Sequence, residues 1–320
     1  MKILAIQNRM GIGDTVIFLP YIKAISQKFN TPINILVKES SKADQYLDNS
    51  DYINEIIILD RKNNSNGKHD GILGSLNLIK DLKRYNYDKV FIFNSSIRFN
   101  LIAKLSKIPE IFQYPLFDKK NQHIIDTAKN FIETKLNIKI KEDPKIELIE
   151  NSIQEAINKY NIDKNKINFL LGIGASGPTK RIPAETFIKV IDKILMKKKC
   201  HFFLATGKNE DEQKILNQIL NSKYSGVCTP LDNLSIKETL PIIKNCDIAI
   251  CNDTGFGHLS AALKIKTIML IADAPLMYGN YSKQMYPIIP DGEKTVTHGT
   301  RGKDKINPIK IYEKILEILY

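Results

Sequence analysis

The sequence predicts an α/β protein made of two doubly wound domains, and three observations carry that expectation. A chain of 320 residues exceeds one ordinary domain and suits two of roughly 150. Short continuous runs of Ile, Leu, Val and Phe alternate with amphipathic stretches throughout, the pattern of parallel strands covered by helices on both faces. The series strand, glycine-containing loop, helix also occurs twice, first from Met1 and again from about Ile167.

Strands are predicted at Ile3–Gln7, Ile33–Val37, Glu55–Leu59 and Lys89–Phe93, then at Asn168–Ile173, His201–Ala205, Ile248–Cys251 and Thr267–Ile271. Each is a four- to six-residue apolar run bounded by turn formers. Helical spacing marks Thr15–Lys28, Leu73–Tyr85 and Asn121–Leu136, then Glu185–Lys197, Glu210–Asn221 and Ile236–Lys244. The stretch Asn137–Asn165 is rich in Lys, Asp, Asn and Glu, with one helix-like piece at Ser152–Tyr160, and reads as the end of the first domain and a linker. The expected domains are 1–160 and 161–305. An amphipathic closing helix within 306–320 is expected to pack back across the junction. Two such sheets facing one another would set the carboxyl ends of their strands on a central cleft, where ligands bind in this architecture.

Composition narrows the function. Apolar residues make up 43% and charged residues 26%, so each half can bury a core. The net charge of +12 is spread over both halves rather than gathered in a tail or arm. That distribution suits anionic ligands or an anionic membrane surface, and no motif or aromatic–basic face points to nucleic acid. Cys200, Cys228, Cys246 and Cys251 form no Cys-x-x-Cys pair, and no histidine cluster has zinc-ligand spacing, so no metal site and a reduced, cytoplasmic setting are expected. The first apolar run is six residues long, too short for a signal core, and no stretch approaches the length of a membrane span.

Four loops that follow strands could carry chemistry. In Met10-Gly11-Ile12-Gly13-Asp14 the glycines Gly11 and Gly13 allow a sharp turn close to a ligand. Asp14 stands where a helix begins, either as its N-cap or as a general base for an acceptor hydroxyl. In Gly174-Ala175-Ser176-Gly177-Pro178-Thr179-Lys180-Arg181, small residues, two hydroxyls and two cations meet the needs of a pyrophosphate, or form a solvated basic loop. Cys251-Asn252-Asp253-Thr254-Gly255-Phe256-Gly257-His258 places an acid and a helix N-terminus together. There His258 is either a ligand contact or a helix histidine packed on the sheet. In Thr206-Gly207-Lys208-Asn209-Glu210-Asp211-Glu212, acids in a first helical turn complement the helix dipole, or one accepts from ribose hydroxyls.

Taken together, ILAIQNRMGIGDTVIFLPYIKAI, LGIGASGPTKRIPAETFIKVI and LDNLSIKETLPIIKNCDIAICNDTGFGHLSAAL resemble glycosyltransferase family 9, the ADP-heptose:lipopolysaccharide heptosyltransferases. The resemblance implies a GT-B fold and inverting, metal-independent transfer. It implies an acceptor on the N-terminal domain and a nucleotide sugar, by default ADP-heptose, on the C-terminal one. Asp14 falls on the family's catalytic base. Ser176 and Lys180, with Arg181 beside them, fall on diphosphate contacts. Asp253, Thr254 and Gly255, with His258 after them, fall on the donor-binding turn, and Leu234 falls near the adenine pocket. A ribose-binding glutamate lands on Glu210 or Glu212. The implied acceptor is a phosphorylated, lipid-linked glycan at the cytoplasmic face of the inner membrane, which Arg9, Lys38, Lys62 and Arg98 are placed to meet.

The sequence departs from the family in two places. Ile182 stands where a tryptophan usually follows Lys-Arg, and Ile271-Ala272-Asp273-Ala274-Pro275, then Tyr278-Gly279-Asn280-Tyr281, replaces Phe-Gly-x-Thr-x-Pro. Two rival readings therefore stand beside transfer: a nucleotide-sugar epimerase or hydrolase of the same fold, and a catalytically silent paralogue that binds nucleotide or glycan.

Overall fold

The computed structural model describes residues 1–62, 66–116 and 123–319. The chain forms two compact units, Met1–Pro144 and Lys145–Tyr320. All strand pairs in both are parallel.

The first unit runs β1 (Ile3–Ile6), α1 (Ile12–Phe29), β2 (Ile33–Lys38), β3 (Ile53–Leu59), α2 (Gly71–Lys83), β4 (Lys89–Ile92), α3 (Ile97–Leu105), β5 (Glu110–Gln113) and α4 (Ile124–Leu136). The sheet order is β3-β2-β1-β4-β5, with Leu4 opposite both Asn34 and Val90. One face is closed by Leu78 and Leu82 of α2 and Phe99 and Ile102 of α3 against Leu4, Ile6, Leu36, Val90 and Ile92. The helices α1 and α4 pack together, and Phe93 meets Phe18 and Phe131 edge-on at 5.1 and 5.7 Å between centroids.

The second unit runs α5 (Glu150–Lys159), β6 (Ile167–Gly172), α6 (Ala184–Leu195), β7 (Cys200–Ala205), α7 (Glu210–Leu220), β8 (Cys228–Pro230), α8 (Ile236–Lys244), β9 (Ile248–Asn252), α9 (Gly255–Ala262), β10 (Lys266–Leu270), β11 (Met285–Ile288) and α10 (Pro308–Leu319). Its sheet order is β11-β10-β9-β6-β7-β8. Phe169, Leu171, Ile250 and Ile268 of the sheet pack with Phe187 and Ile191 of α6 in the larger core. The fold is the two-domain α/β architecture of the GT-B class.

The eight apolar runs are all strands. The structure adds β5, β8 and β11, which are three or four residues long and sit at sheet edges, too short to show a period. Helix α3 lies where no helix is predicted, because Ile97, Leu101 and Leu105 on its exposed side blur the amphipathic contrast. Residues 121 and 122 of the helix predicted to start at Asn121 lie outside the described residues; α4 begins at Ile124.

The expected boundary at 160 moves to 144. Ile146 N donates to Ala262 O at 3.0 Å, and Asn245 Nδ2 donates to Ile153 O at 2.9 Å, so the strap and α5 belong to the second unit. Helix α10 buries Ile311 and Ile315 in that unit's core, packed on α6, β10 and β11.

Candidate functional site

In a doubly wound sheet the connections reverse direction once, and the strand ends at that point open a natural crevice. In the second unit the reversal lies between β6 and β9. The loop after β6 carries Lys180, and the turn after β9 carries Asp253. Lys180 Nζ donates to Asp253 Oδ2 at 2.5 Å across the switch point. Asp253 is buried, with the ring of His258 on its other side, Nε2 lying 3.7 Å from Oδ1. That separation supports an electrostatic contact rather than a short hydrogen bond. Burial acts to raise the Asp253 pKa, but His258 and the Lys180 charge outweigh it and hold the carboxyl at about 2.

His258 is itself buried on α9, and its Nδ1 lies 2.7 Å from the Tyr281 hydroxyl, the two rings stacked at 5.6 Å. The ring is thus packed between Asp253 and Tyr281. Thr254 is the N-cap residue of α9; its side chain makes no capping bond, and its carbonyl accepts from Gly257 N at 3.0 Å. Ser176 is exposed on the β6 loop. Arg181 is committed to that loop's shape, its Nε donating to Ala175 O at 3.1 Å and its Nη1 to Asp211 Oδ2 at 2.9 Å.

The structure separates the two glutamates. Glu210 is the exposed first residue of α7, whereas Glu212 is buried and its Oε1 accepts from Ala175 N at 2.8 Å. A side chain at Gly174 would put its Cβ 2.7 Å from Glu212 Oε1 and 2.9 Å from Thr206 Oγ1, so glycine there lets the loop close on the carboxylate. At this corner the carboxylate turned toward the β6 loop is that of Glu212, while Glu210 faces solvent. Leu234 is half-buried just before α8, beyond β8 at the sheet edge, and leads into the Ser235–Glu238 capping box.

Asp273 and Tyr281 were not anticipated as site residues. Asp273 follows β10 and accepts from Gly299 N at 2.8 Å and Arg301 N at 2.9 Å. Burial raises its pKa, but the Thr179 hydroxyl and those two amides more than compensate and hold it below the usual carboxylate range. The divergent segment after β10 therefore ties the loop around 299–301 to the residue next to Lys180.

In the first unit the reversal falls between β1 and β4, where Asn94 Nδ2 donates to Asn8 Oδ1 at 3.1 Å. The N-cap of α1 is Gly11, at φ 101°, which a glycine adopts without strain. Asp14 is thus the third residue of the helix rather than its N-cap, half-buried beside Gly13 in the first turn. As the acid of the first turn it complements the helix dipole. Burial, and next the Arg61 charge, lower the Lys38 pKa, while Asp14 and Asp70 oppose them. Burial and Arg61 also depress Arg98, whose guanidinium donates to Ser75 Oγ at 2.9 Å and to His69 O at 2.5 Å. Arg61, whose Nε donates to Asp70 Oδ1 at 3.2 Å, thus sets its charge against both Lys38 and Arg98.

Cys200, Cys246 and Cys251 are buried and Cys228 half-buried. Burial pushes the Cys251 thiol up to about 12, so none of this set resembles an activated nucleophile. Among the described residues, no three His, Cys, Asp or Glu side chains gather in a metal-binding group, and no helix is long and apolar enough to cross a membrane.

Comparison with known proteins adds the family. The Campylobacter jejuni lipooligosaccharide heptosyltransferase 2 is 28% identical over 269 residues, covering 81% of this chain and 77% of that protein. The Campylobacter coli lipopolysaccharide heptosyltransferase 1 is 24% identical over 329 residues, covering 92% and 90%. Among solved structures, the E. coli heptosyltransferase WaaC with ADP superposes with a TM-score of 0.71 at 13% identity, covering 99% of this chain and 100% of that one. Residues 75–297, which include Lys180, Glu212, Asp253 and His258, match glycosyltransferase family 9 (heptosyltransferase). The chain is a glycosyltransferase and belongs to that family.

Proposed function

We propose that this glycosyltransferase moves a heptose from an ADP-linked donor to a lipopolysaccharide-core acceptor, with inversion and with protein groups rather than a metal countering the leaving charge. The Lys180–Asp253 pair at the switch point of the second unit carries the proposal. An ammonium has three donors, and Asp253 engages one while fixing the direction of the rest. The remaining two, with the Gly255 and Phe256 amides that open α9, suit a diphosphate. Glu212, held by Ala175 N, is the group assigned to the ribose hydroxyls, and Leu234 is assigned to the base.

In the proposed reaction an acceptor hydroxyl oxygen attacks the anomeric carbon in a single displacement. Asp14 takes the hydroxyl proton as the new glycosidic bond forms. The bond from the anomeric carbon to the diphosphate breaks with its electrons on the leaving oxygen, where Lys180 and the helix amides stabilise them. Lys38, Arg61 and Arg98 are assigned to acceptor phosphates.

Calorimetric titration with ADP, UDP, GDP and CDP, with and without magnesium, tests the donor side. ADP alone should bind, to the same extent without magnesium, and Lys180→Ala should lose that binding. Preference for another nucleotide, or a strict magnesium requirement, would overturn the proposed donor.

A further inference from the structure

We propose that the outward face of α2 and α3 is a membrane-docking surface that sits on an anionic lipid bilayer. The proposal deepens the functional reading, and rests on it for the claim that the acceptor is lipid-linked. Helices α2 and α3 bury Leu78, Leu82, Phe99 and Ile102 in one core cluster, so both lie on the same side of the sheet. Their opposite faces must then point away from it together. On those faces stand Ile72, Leu73 and Leu76 of α2, exposed by 84%, 76% and 55%. Ile97, Leu101 and Leu105 of α3 follow at 43%, 51% and 56%, one helical turn apart.

The two stripes are sewn side by side. Arg98 Nε donates to Ser75 Oγ at 2.9 Å near the start of both helices, and Ser106 Oγ donates to Ile79 O at 3.5 Å near their ends. Single exposed apolar residues are ordinary, but six on two adjacent helices form a contiguous apolar patch, which marks a binding surface.

Charge decides the occupant. Helix α3 contains Arg98 and Lys104 and no acid, and Lys107 follows it, exposed. Helix α2 ends on the exposed Lys80 and Lys83, and its one acid, Asp81, is engaged by Lys68 at 2.5 Å and His69 at 3.2 Å. An apolar stripe with a lysine border and almost no negative charge matches the interfacial zone of a bilayer with anionic headgroups. Both helices start at the carboxyl edge of the sheet, the same edge as Asp14. A bilayer under them would therefore bring lipid headgroups to the edge that carries the proposed base, with Lys38, Arg61 and Arg98 beside it.

Flotation of the full chain with vesicles tests this, using phosphatidylglycerol mixed with phosphatidylcholine against phosphatidylcholine alone. The protein should float with the anionic vesicles and far less with neutral ones, and binding should fall as salt rises. Leu73→Asp with Leu101→Asp should abolish flotation while leaving thermal unfolding unchanged, since both side chains are exposed. Lys83→Glu with Lys104→Glu should weaken partition by at least roughly fivefold per position. Flotation of the double-aspartate protein like the parent would overturn the assignment. So would a parent that fails to float but sediments as a dimer, if the same substitutions turn it into a monomer. ADP titration of the same samples keeps the two readings apart. A parent that binds ADP but does not float with anionic vesicles would sink the surface alone, whereas flotation of the parent without ADP binding would sink the proposed transfer.

Discussion

The carboxyl edges of the two sheets are built on the same plan but finished differently. In the second unit the switch point is bridged by a charged pair, Lys180 and Asp253, and the loops around it are tied down by Glu212 and Asp273. In the first unit the bridge is neutral, Asn8 to Asn94, and the Arg61 charge acts on both Lys38 and Arg98, with Asp14 near Lys38. A pre-paired ammonium suits a ligand of fixed shape, such as a nucleoside diphosphate, because little needs to reorganise on binding. Cations that repel one another gain most when an anion arrives, which suits a substrate supplied from elsewhere. In the proposed reaction one fold would thus serve two tasks by changing what crosses the switch point.

The sharpest way to break that comparison is at Asp14. Asp14→Asn keeps the shape and removes the base, so turnover should fall by roughly 10²–10⁴-fold. ADP affinity, a property of the other unit, should stay within about twofold. A variant that turns over normally would take Asp14 out of the reaction and leave the first unit as a binding surface alone.

Lys180 and Asp253 come next. Lys180→Met strips the counter-charge from a buried carboxylate and should cost about 2–3 kcal/mol in urea unfolding, the lower end reflecting partial exposure of the lysine. Adding Asp253→Asn should recover much of that loss without restoring ADP binding. If the double variant is no more stable than Lys180→Met, the pair is not coupled. Acid titration sharpens the same point. The Asp253 pKa is lower folded, at about 2, than its ordinary value of 3.8, so its contribution is complete above pH 4 and disappears as pH falls towards 2. The parent should therefore lose about 2 kcal/mol more than Asp253→Asn between those limits.

These particulars show what a linear reading reaches. The strands were legible because parallel strands buried on both faces must be apolar nearly throughout, as Ile248–Cys251 is. The positions of Asp14, Lys180 and Asp253 were legible because each lies between such a run and the body of the next helix. The choice between Glu210 and Glu212 was not, since it depends on where α7 starts and which side of its first turn faces the β6 loop. Nor was the support around Asp253 and Asp273. His258 meets Tyr281 across 23 residues, and Asp273 meets Gly299 across 26, with no periodicity to announce either. Helix α3 hid for the opposite reason: its exposed side is as apolar as its buried one.

The smallest expected effect concerns Gln7, at the end of β1. It is only 1% exposed, and neither its Nε2 nor its Oε1 has a hydrogen-bond partner among the described residues. An unsatisfied buried amide costs about 1–3 kcal/mol, so an apolar side chain of similar length should be tolerated or preferred there. Gln7→Met should raise the melting temperature by about 2–4 °C per kcal/mol regained. If the first unit keeps that amide for a ligand, the same change should raise the acceptor KM while ADP binding stays constant, the trade expected where a site holds polar groups in reserve. A lower melting temperature would mean that Gln7 is already satisfied, and the contrast between a reserved edge and a pre-paired one would then rest on the cations alone.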